Sequence, residues 1–102
     1  MKFQVELLNC LAYTDKKTNQ PKSRLSYRCL ESKYRQETKN LKGFSELCVY
    51  VDGHDLFNKL SLDMFGLQSE LEFVESPSSS NPLKNTLILK SVKVGNNVIN
   101  LL

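Results

Sequence analysis

The sequence predicts a mainly β domain with one short helix. Three observations carry that expectation. Runs of alternating apolar and polar residues recur along the chain, which is the period of a half-buried strand. Clusters of Asp, Asn, Gly, Ser and Pro separate those runs. The period changes to that of a helix in one place only, residues 54–66.

Residues 2–13 make the first expected strand, with Phe3, Val5 and Leu7 alternating with Lys2, Gln4 and Glu6. From Leu8 to Ala12 both faces are apolar, so this half is either covered on both sides or contains a bulge. TDKKTNQPKS, 14–23, is a polar turn in which Asn19 suits a tight bend and Pro21 bars a central-strand position. RLSYRCLE, 24–31, alternates again, with Leu25, Tyr27 and Cys29 on one face and Arg24, Ser26 and Arg28 on the other. Residues 2–31 therefore read as a hairpin. SKYRQETKNLKG, 32–43, has no apolar stripe and reads as an exposed loop with fraying strand ends. FSELCVYVD, 44–52, is the third strand, with Leu47, Val49 and Val51 alternating with Cys48 and Tyr50. Cys10, Cys29 and Cys48 are each 19 residues apart. Hairpin tips at Asn19-Gln20 and near Thr38-Lys39 would set the three in a row across a meander.

Asp52-Gly53 stops the third strand. In 54–66, Leu56, Phe57, Leu60 and Met64 suit one amphipathic helical face, with Asp55 as N-cap and Gly66 as the C-terminal stop; a strand is the alternative for 56–62. LQSELEFVE, 67–75, is a fourth strand with Leu67, Ser69, Leu71 and Phe73 on one face. SPSSSNP, 76–82, is a flexible loop by composition. LKNTLILKSVKVG, 83–95, is β-rich, and Asn96-Asn97 precedes VINLL, so the last segment is one strand or two short ones around Gly95. The order β-β-β-α-β-β is the layout of an OB-fold, a five-stranded Greek-key barrel, here with one short helix between strands 3 and 4.

Residues 1–102 are expected to form a single OB-like domain. No apolar run approaches the roughly 20 residues of a membrane helix. Gln4, Glu6 and Asn9 interrupt the apolar N-terminal stretch, which argues against a signal peptide. Three cysteines is an odd number, and a reducing cytoplasm with free thiols is the simplest reading. The cysteines lack the close spacing of a zinc set, and His54 stands alone between Gly53 and Asp55. No nucleophile elbow or glycine-rich phosphate loop is present. Asp63, Glu70, Glu72 and Glu75 read as an acidic solvated edge. The expectation is a protein without catalysis, metal or cofactor.

Charge is unevenly spread. Lys16, Lys17, Lys22, Arg24, Arg28, Lys33, Arg35, Lys39 and Lys42 are opposed between 16 and 42 only by Glu31 and Glu37, a balance of +7 in a chain of net charge +3. Tyr13, Tyr27, Tyr34 and Phe44 are threaded through or beside this run. Cations that neutralise phosphates, interleaved with rings that stack on bases, make a sequence-tolerant single-strand surface. The alternative is a solvated hairpin whose tyrosines belong to the core. In an OB layout, the ligand face lies on strands 2 and 3 and the loops joining strands 1–2 and 4–5. The basic run falls on that face, with Lys84 in the second of those loops.

The turn Gln20-Pro21-Lys22 leading into Leu25-Ser26-Tyr27-Arg28-Cys29-Leu30, and the closing strand Ser91-Val92-Lys93-Val94-Gly95, resemble pieces of a known family. The chain is similar in size and strand order to the small single-stranded-DNA-binding proteins of filamentous phages and related mobile elements. The helix at 54–66 departs from that pattern. The resemblance implies an OB-like barrel, cooperative dimers, and DNA held by Arg24, Tyr27, Arg28, Tyr34 and Arg35. Together with the charge pattern, the expected interface is Lys16, Lys17, Lys22, Arg24, Tyr27, Arg28, Tyr34, Arg35 and Lys39. One objection is internal: if Leu25 faces the core, so does Tyr27, which then cannot stack. Tyr13 and Tyr34, at strand ends, are better placed. The expected function is binding single-stranded DNA in phage or plasmid replication, with a homodimer as partner state and no membrane contact. The alternative is a small interaction module whose basic segment docks an acidic protein.

Overall fold

The computed structural model describes residues 1–77 and 85–101. Eight strands and one short helix are present among them. They are β1 (Lys2–Thr14), β2 (Pro21–Cys29), β3 (Arg35–Glu37), β4 (Lys42–Phe44), β5 (Leu47–Asp52), α1 (Asp55–Lys59), β6 (Gln68–Pro77), β7 (Asn85–Val94) and β8 (Asn97–Asn100). Six strands form one antiparallel sheet in the order β5-β2-β1-β6-β7-β8, and β3 and β4 form a separate two-stranded ribbon. The mainly β class is therefore as expected. The closed five-stranded barrel is not observed, because no ladder joins β5 to β7 or β8 among the described residues.

β1 is long enough to serve both halves of the sheet. Its residues 5–14 pair with β2 and its residues 2–6 pair with β6. The register against β2 shifts between Leu7 and Asn9, leaving Leu8 as an extra residue. This is a β-bulge, and it answers the doubly apolar stretch in the sequence. A second register shift lies between Glu72 and Phe73 on β6. Bulges bend and twist the strands that carry them. The sheet curls so that Tyr50, Val51 and Asp52 of β5 face Ile88 and Leu89 of β7 across a cleft of about 370 Å³.

The core fills the inside of the curl. Val5 and Leu7 of β1, Leu25 and Cys29 of β2, Leu71 and Phe73 of β6, Leu89, Val92 and Val94 of β7, and Ile99 of β8 are buried. Phe3 and Phe73 meet edge to face at 5.8 Å between centroids. α1 adds Leu56, its one buried residue.

The helix is shorter than the period implied. Leu56, Leu60 and Met64 do turn inward, whereas Phe57 of the expected face is exposed and His54, not Asp55, holds the N-cap position; the backbone becomes extended at Leu60 and resumes as a single 3-10 turn, Leu62–Met64. Five residues cannot sustain a helix by themselves, so tertiary contacts shape this segment. It runs beside the half of β1 that β6 leaves unpaired. The Gly66 N–H donates to the Leu7 carbonyl at 3.0 Å, and a His54 ring nitrogen lies 3.0 Å from the Tyr13 carbonyl.

The connections also differ from expectation. Cys10 lies opposite Leu25, Cys29 opposite Val5 and Cys48 opposite Ser26, so the cysteine row does not form. Residues 32–43 are not a plain loop but a 3-10 turn at Ser32–Tyr34 followed by the β3–β4 ribbon. The expected third strand is broken between β4 and β5. The closing segment is two strands around Gly95. Ser76 and Pro77 of the expected flexible loop belong to β6; the rest of that loop and Lys84 lie outside the described residues. No described helix is long and apolar enough to cross a membrane.

Leu56 ties the 54–66 segment to the sheet at 1 % exposure. Leu56→Ala is expected to cost about 2–5 kcal/mol. Chemical denaturation followed by circular dichroism measures that loss.

Candidate nucleic-acid interface

Strand parity divides the sheet into a core face and an outer face. On β2, Leu25 is fully buried, so Arg24 and its period-two neighbours point away from the core. The ladders then fix what stands beside each of them. Arg24 lies between Leu11 of β1 and Tyr50 of β5. Lys22 lies between Tyr13 and Asp52, and Ser26 between Asn9 and Cys48. Arg28 lies opposite Glu6.

The row through Arg24 has the chemistry of a base-stacking surface. Tyr50 is 58 % exposed and Leu11 48 %. Between them the half-buried Arg24 carries an Nε that is buried without a hydrogen-bond partner, the one such side-chain atom among the described residues. The Tyr50 phenol is pushed above its ordinary value, first by its hydrogen bond with Cys48, although the Arg24 charge opposes the shift. Tyr50 sets an exposed ring one strand away from the Arg24 cation.

The nine cations between 16 and 42 separate into two groups. Lys22 bonds Asp52 at 3.0 Å, Lys33 pairs with Glu31 at 3.2 Å, and Lys42 pairs with Glu37 at 3.5 Å. The Lys22 ammonium is held above its usual value, chiefly by the hydrogen bond to Asp52. Arg28 is more firmly engaged. Its Nε donates to Glu6 at 3.0 Å, its Nη2 reaches the same oxygen, and its guanidinium sits 5.2 Å from the centre of the Phe44 ring. Arg28 thus clamps the base of the β3–β4 ribbon onto the sheet. Lys16, Lys17, Arg24, Arg35 and Lys39 form no ion pair among the described residues.

The loop from Asp15 to Gln20 projects the first two of these. The Asp15 carboxylate accepts from the Lys17 N–H and the Thr18 hydroxyl, and Asn19 takes the left-handed conformation (φ 58°) expected for the bend. Lys16 and Lys17 are held out into solvent. Arg35 opens the ribbon and Lys39 sits at its tip, both exposed. In contrast, two acidic side chains of β6 are paired: Glu70 with Lys2 at 3.9 Å and Glu72 with Lys90 at 3.8 Å.

Tyr27 is the residue whose placement argues against its expected role. It is half-buried and packs against the core, on the face opposite Arg24 and Arg28. Tyr34 closes the turn before β3, and its side chain lies outside the described residues. Tyr50 and Leu11 were not among the expected contacts. Alternation in 44–52 already put Tyr50 on the polar face, but only the β2–β5 register brings it beside Arg24.

The described residues hold no group of three or more His, Cys, Asp or Glu placed to bind a metal. Burial pushes the Cys10 and Cys29 thiols up, away from the reactive thiolate. No family model matches the chain, and neither a curated protein nor a solved structure matches it.

Two arginines four residues apart on one strand should behave differently. Arg28→Ala is expected to cost about 1 kcal/mol of stability, since a charge-assisted pair is lost in a partly exposed setting. Arg24→Ala should leave the midpoint of thermal unfolding nearly unchanged. Differential scanning calorimetry of the two variants compares them.

Proposed function

We propose that this chain binds single-stranded nucleic acid, with little sequence preference, across the outer face of β1, β2 and β5 and along the β3–β4 ribbon. The observation that carries the reading is the row Leu11–Arg24–Tyr50, together with Lys16 and Lys17 on the first loop and Arg35 and Lys39 on the ribbon, which form no ion pair among the described residues. Phosphates would be tracked by Lys16, Lys17, Arg24, Arg35 and Lys39. The paired cations Lys22, Lys33 and Lys42 can be recruited, because exposed ion pairs contribute only about 0–1 kcal/mol. Bases would stack on Tyr50, and on Tyr13 in the neighbouring row. Tyr27 and Arg28 serve the fold under this reading.

The strand neighbours support an OB-type architecture. With the β3–β4 ribbon set aside as an insertion, β5-β2-β1-β6-β7 runs third-second-first-fourth-fifth. That neighbour order matches an OB barrel opened between its third and fifth strands, with β8 added as a sixth strand on the outer edge of the fifth; the usual ligand face would then lie on the second and third. The proposed setting is cytoplasmic, in replication of phage or plasmid DNA, and the role is binding without catalysis.

A second reading, a protein-interaction module, is favoured by one feature. Leu8, Cys10, Phe57, Leu60, Leu62 and Phe65 line an apolar groove of about 500 Å³, and Leu62 is 88 % exposed. The basic segment would then dock an acidic partner.

Fluorescence anisotropy with labelled oligonucleotides across a salt series separates the two. The single-strand reading expects affinity to fall steeply with salt. Tyr50→Ala is expected to cost about 1–3 kcal/mol of binding. Arg24→Ala should lower the log–log salt slope by roughly 0.7. Absence of binding at low salt contradicts the reading and favours the interaction module.

A further inference from the structure

Resting on the single-strand reading, we propose that the cleft between β5 and β7 accepts one base of the bound strand and favours bases that carry an exocyclic amino group. The cleft exists because the sheet does not close. Tyr50 from β5, Ile88 from β7, the buried Leu56 of α1, and Asp55, Asn100 and Leu101 line it. Its volume of about 370 Å³ lies at the lower end of small-molecule sites, which span roughly 300–1,000 Å³. A single base is an occupant of suitable size.

Tyr50 joins this cleft to the cationic face. Its position on β5 neighbours Arg24 on β2, and it also lines the cleft. Adjacent strands lie about 5 Å apart. A strand whose phosphate rests on Arg24 therefore passes Tyr50 next, with the cleft opening behind the ring. A base leaving the stack there exchanges solvent for one aromatic wall and one aliphatic wall.

The polar groups at the cleft are unequal in what they discriminate. Asp52 is engaged by Lys22. Asp55 is exposed and makes no ion pair or side-chain hydrogen bond among the described residues. An ionised carboxylate only accepts hydrogen bonds. The N4 amino group of cytosine and the N6 amino group of adenine donate, whereas thymine places the O4 acceptor at the same edge. An amino base gains a charge-assisted bond to Asp55, and thymine brings its O4 against the carboxylate, its one N–H donor lying at N3 between two carbonyls. The Asn100 amide both donates and accepts, so it does not choose. Lys59, one turn beyond Asp55, is exposed and unpaired among the described residues, and its mobile point charge is drawn to phosphate.

The test compares oligo(dC) with oligo(dT) of equal length at mildly alkaline pH. Both carry the same charge, so the phosphate contribution cancels from the ratio of their Kd values. Wild type is expected to bind oligo(dC) roughly five-fold or more tightly. Asp55→Asn, which can donate as well as accept, should bring the two within about two-fold of each other. Arg24→Ala should weaken both and preserve the ratio. Circular dichroism of each variant checks that the fold persists. Equal affinity of wild type for the two oligonucleotides overturns the base-slot inference while leaving the single-strand reading intact. So does a preference that Asp55→Asn leaves unchanged. Failure of wild type to bind either oligonucleotide at low salt overturns both.

Discussion

The bulge at Leu8 sets the chemistry of the outer face. Before it, Val5 and Leu7 point inward and Glu6 points outward. Without an extra residue, strict alternation would turn Asn9 inward and expose Cys10. The bulge resets the parity, so Cys10 faces the core opposite Leu25, while Leu11 and Tyr13 face outward opposite Arg24 and Lys22. One inserted residue thus places the apolar and aromatic side chains of β1 beside the cations of β2. The same bulge bends the strand and contributes to the curl that brings β5 round towards β7.

Charge composition alone does not make an interface, because much of the charge is engaged. Arg28 is committed to Glu6 and Phe44, and through them to the position of the ribbon. Lys22 is committed to Asp52. What distinguishes the outer face of β1, β2 and β5 is the set that remains: Arg24 with its orphan Nε, Lys16 and Lys17 on the first loop, and Arg35 and Lys39 on the ribbon. On β6 the carboxylates Glu70 and Glu72 have lysine partners. The surface is therefore partitioned by pairing as much as by sequence composition.

Much of the strand content was legible, because alternation reports burial directly. Val5, Leu7, Leu25, Leu71 and Phe73 all fell on the face that is buried. The inward direction of Tyr27 was also legible from its parity with Leu25. Register was not. The cysteine spacing assumed a first hairpin tip at Asn19-Gln20, whereas the pairing of Cys10 with Leu25 centres that turn at Lys17-Thr18, and the inserted β3–β4 ribbon shifted the second pairing. That shift is why Tyr50 could not be placed beside Arg24 from sequence. The helix was overlong for a related reason: an apolar period of 3.6 records which side chains turn inward, and a segment with extended backbone at Leu60 satisfies it equally well. Arg28 was misleading because a guanidinium held by an acid and a ring is indistinguishable, in sequence, from a free one.

The most direct measurement is a two-dimensional amide NMR titration of the labelled protein with a short single-stranded oligodeoxynucleotide. The account predicts perturbations concentrated at Leu11, Tyr13, Arg24, Tyr50 and the ribbon from Arg35 to Lys42, with Glu70 and Glu72 silent. Perturbations confined to the apolar groove around Leu8, Phe57 and Leu62, or none at all, would contradict it.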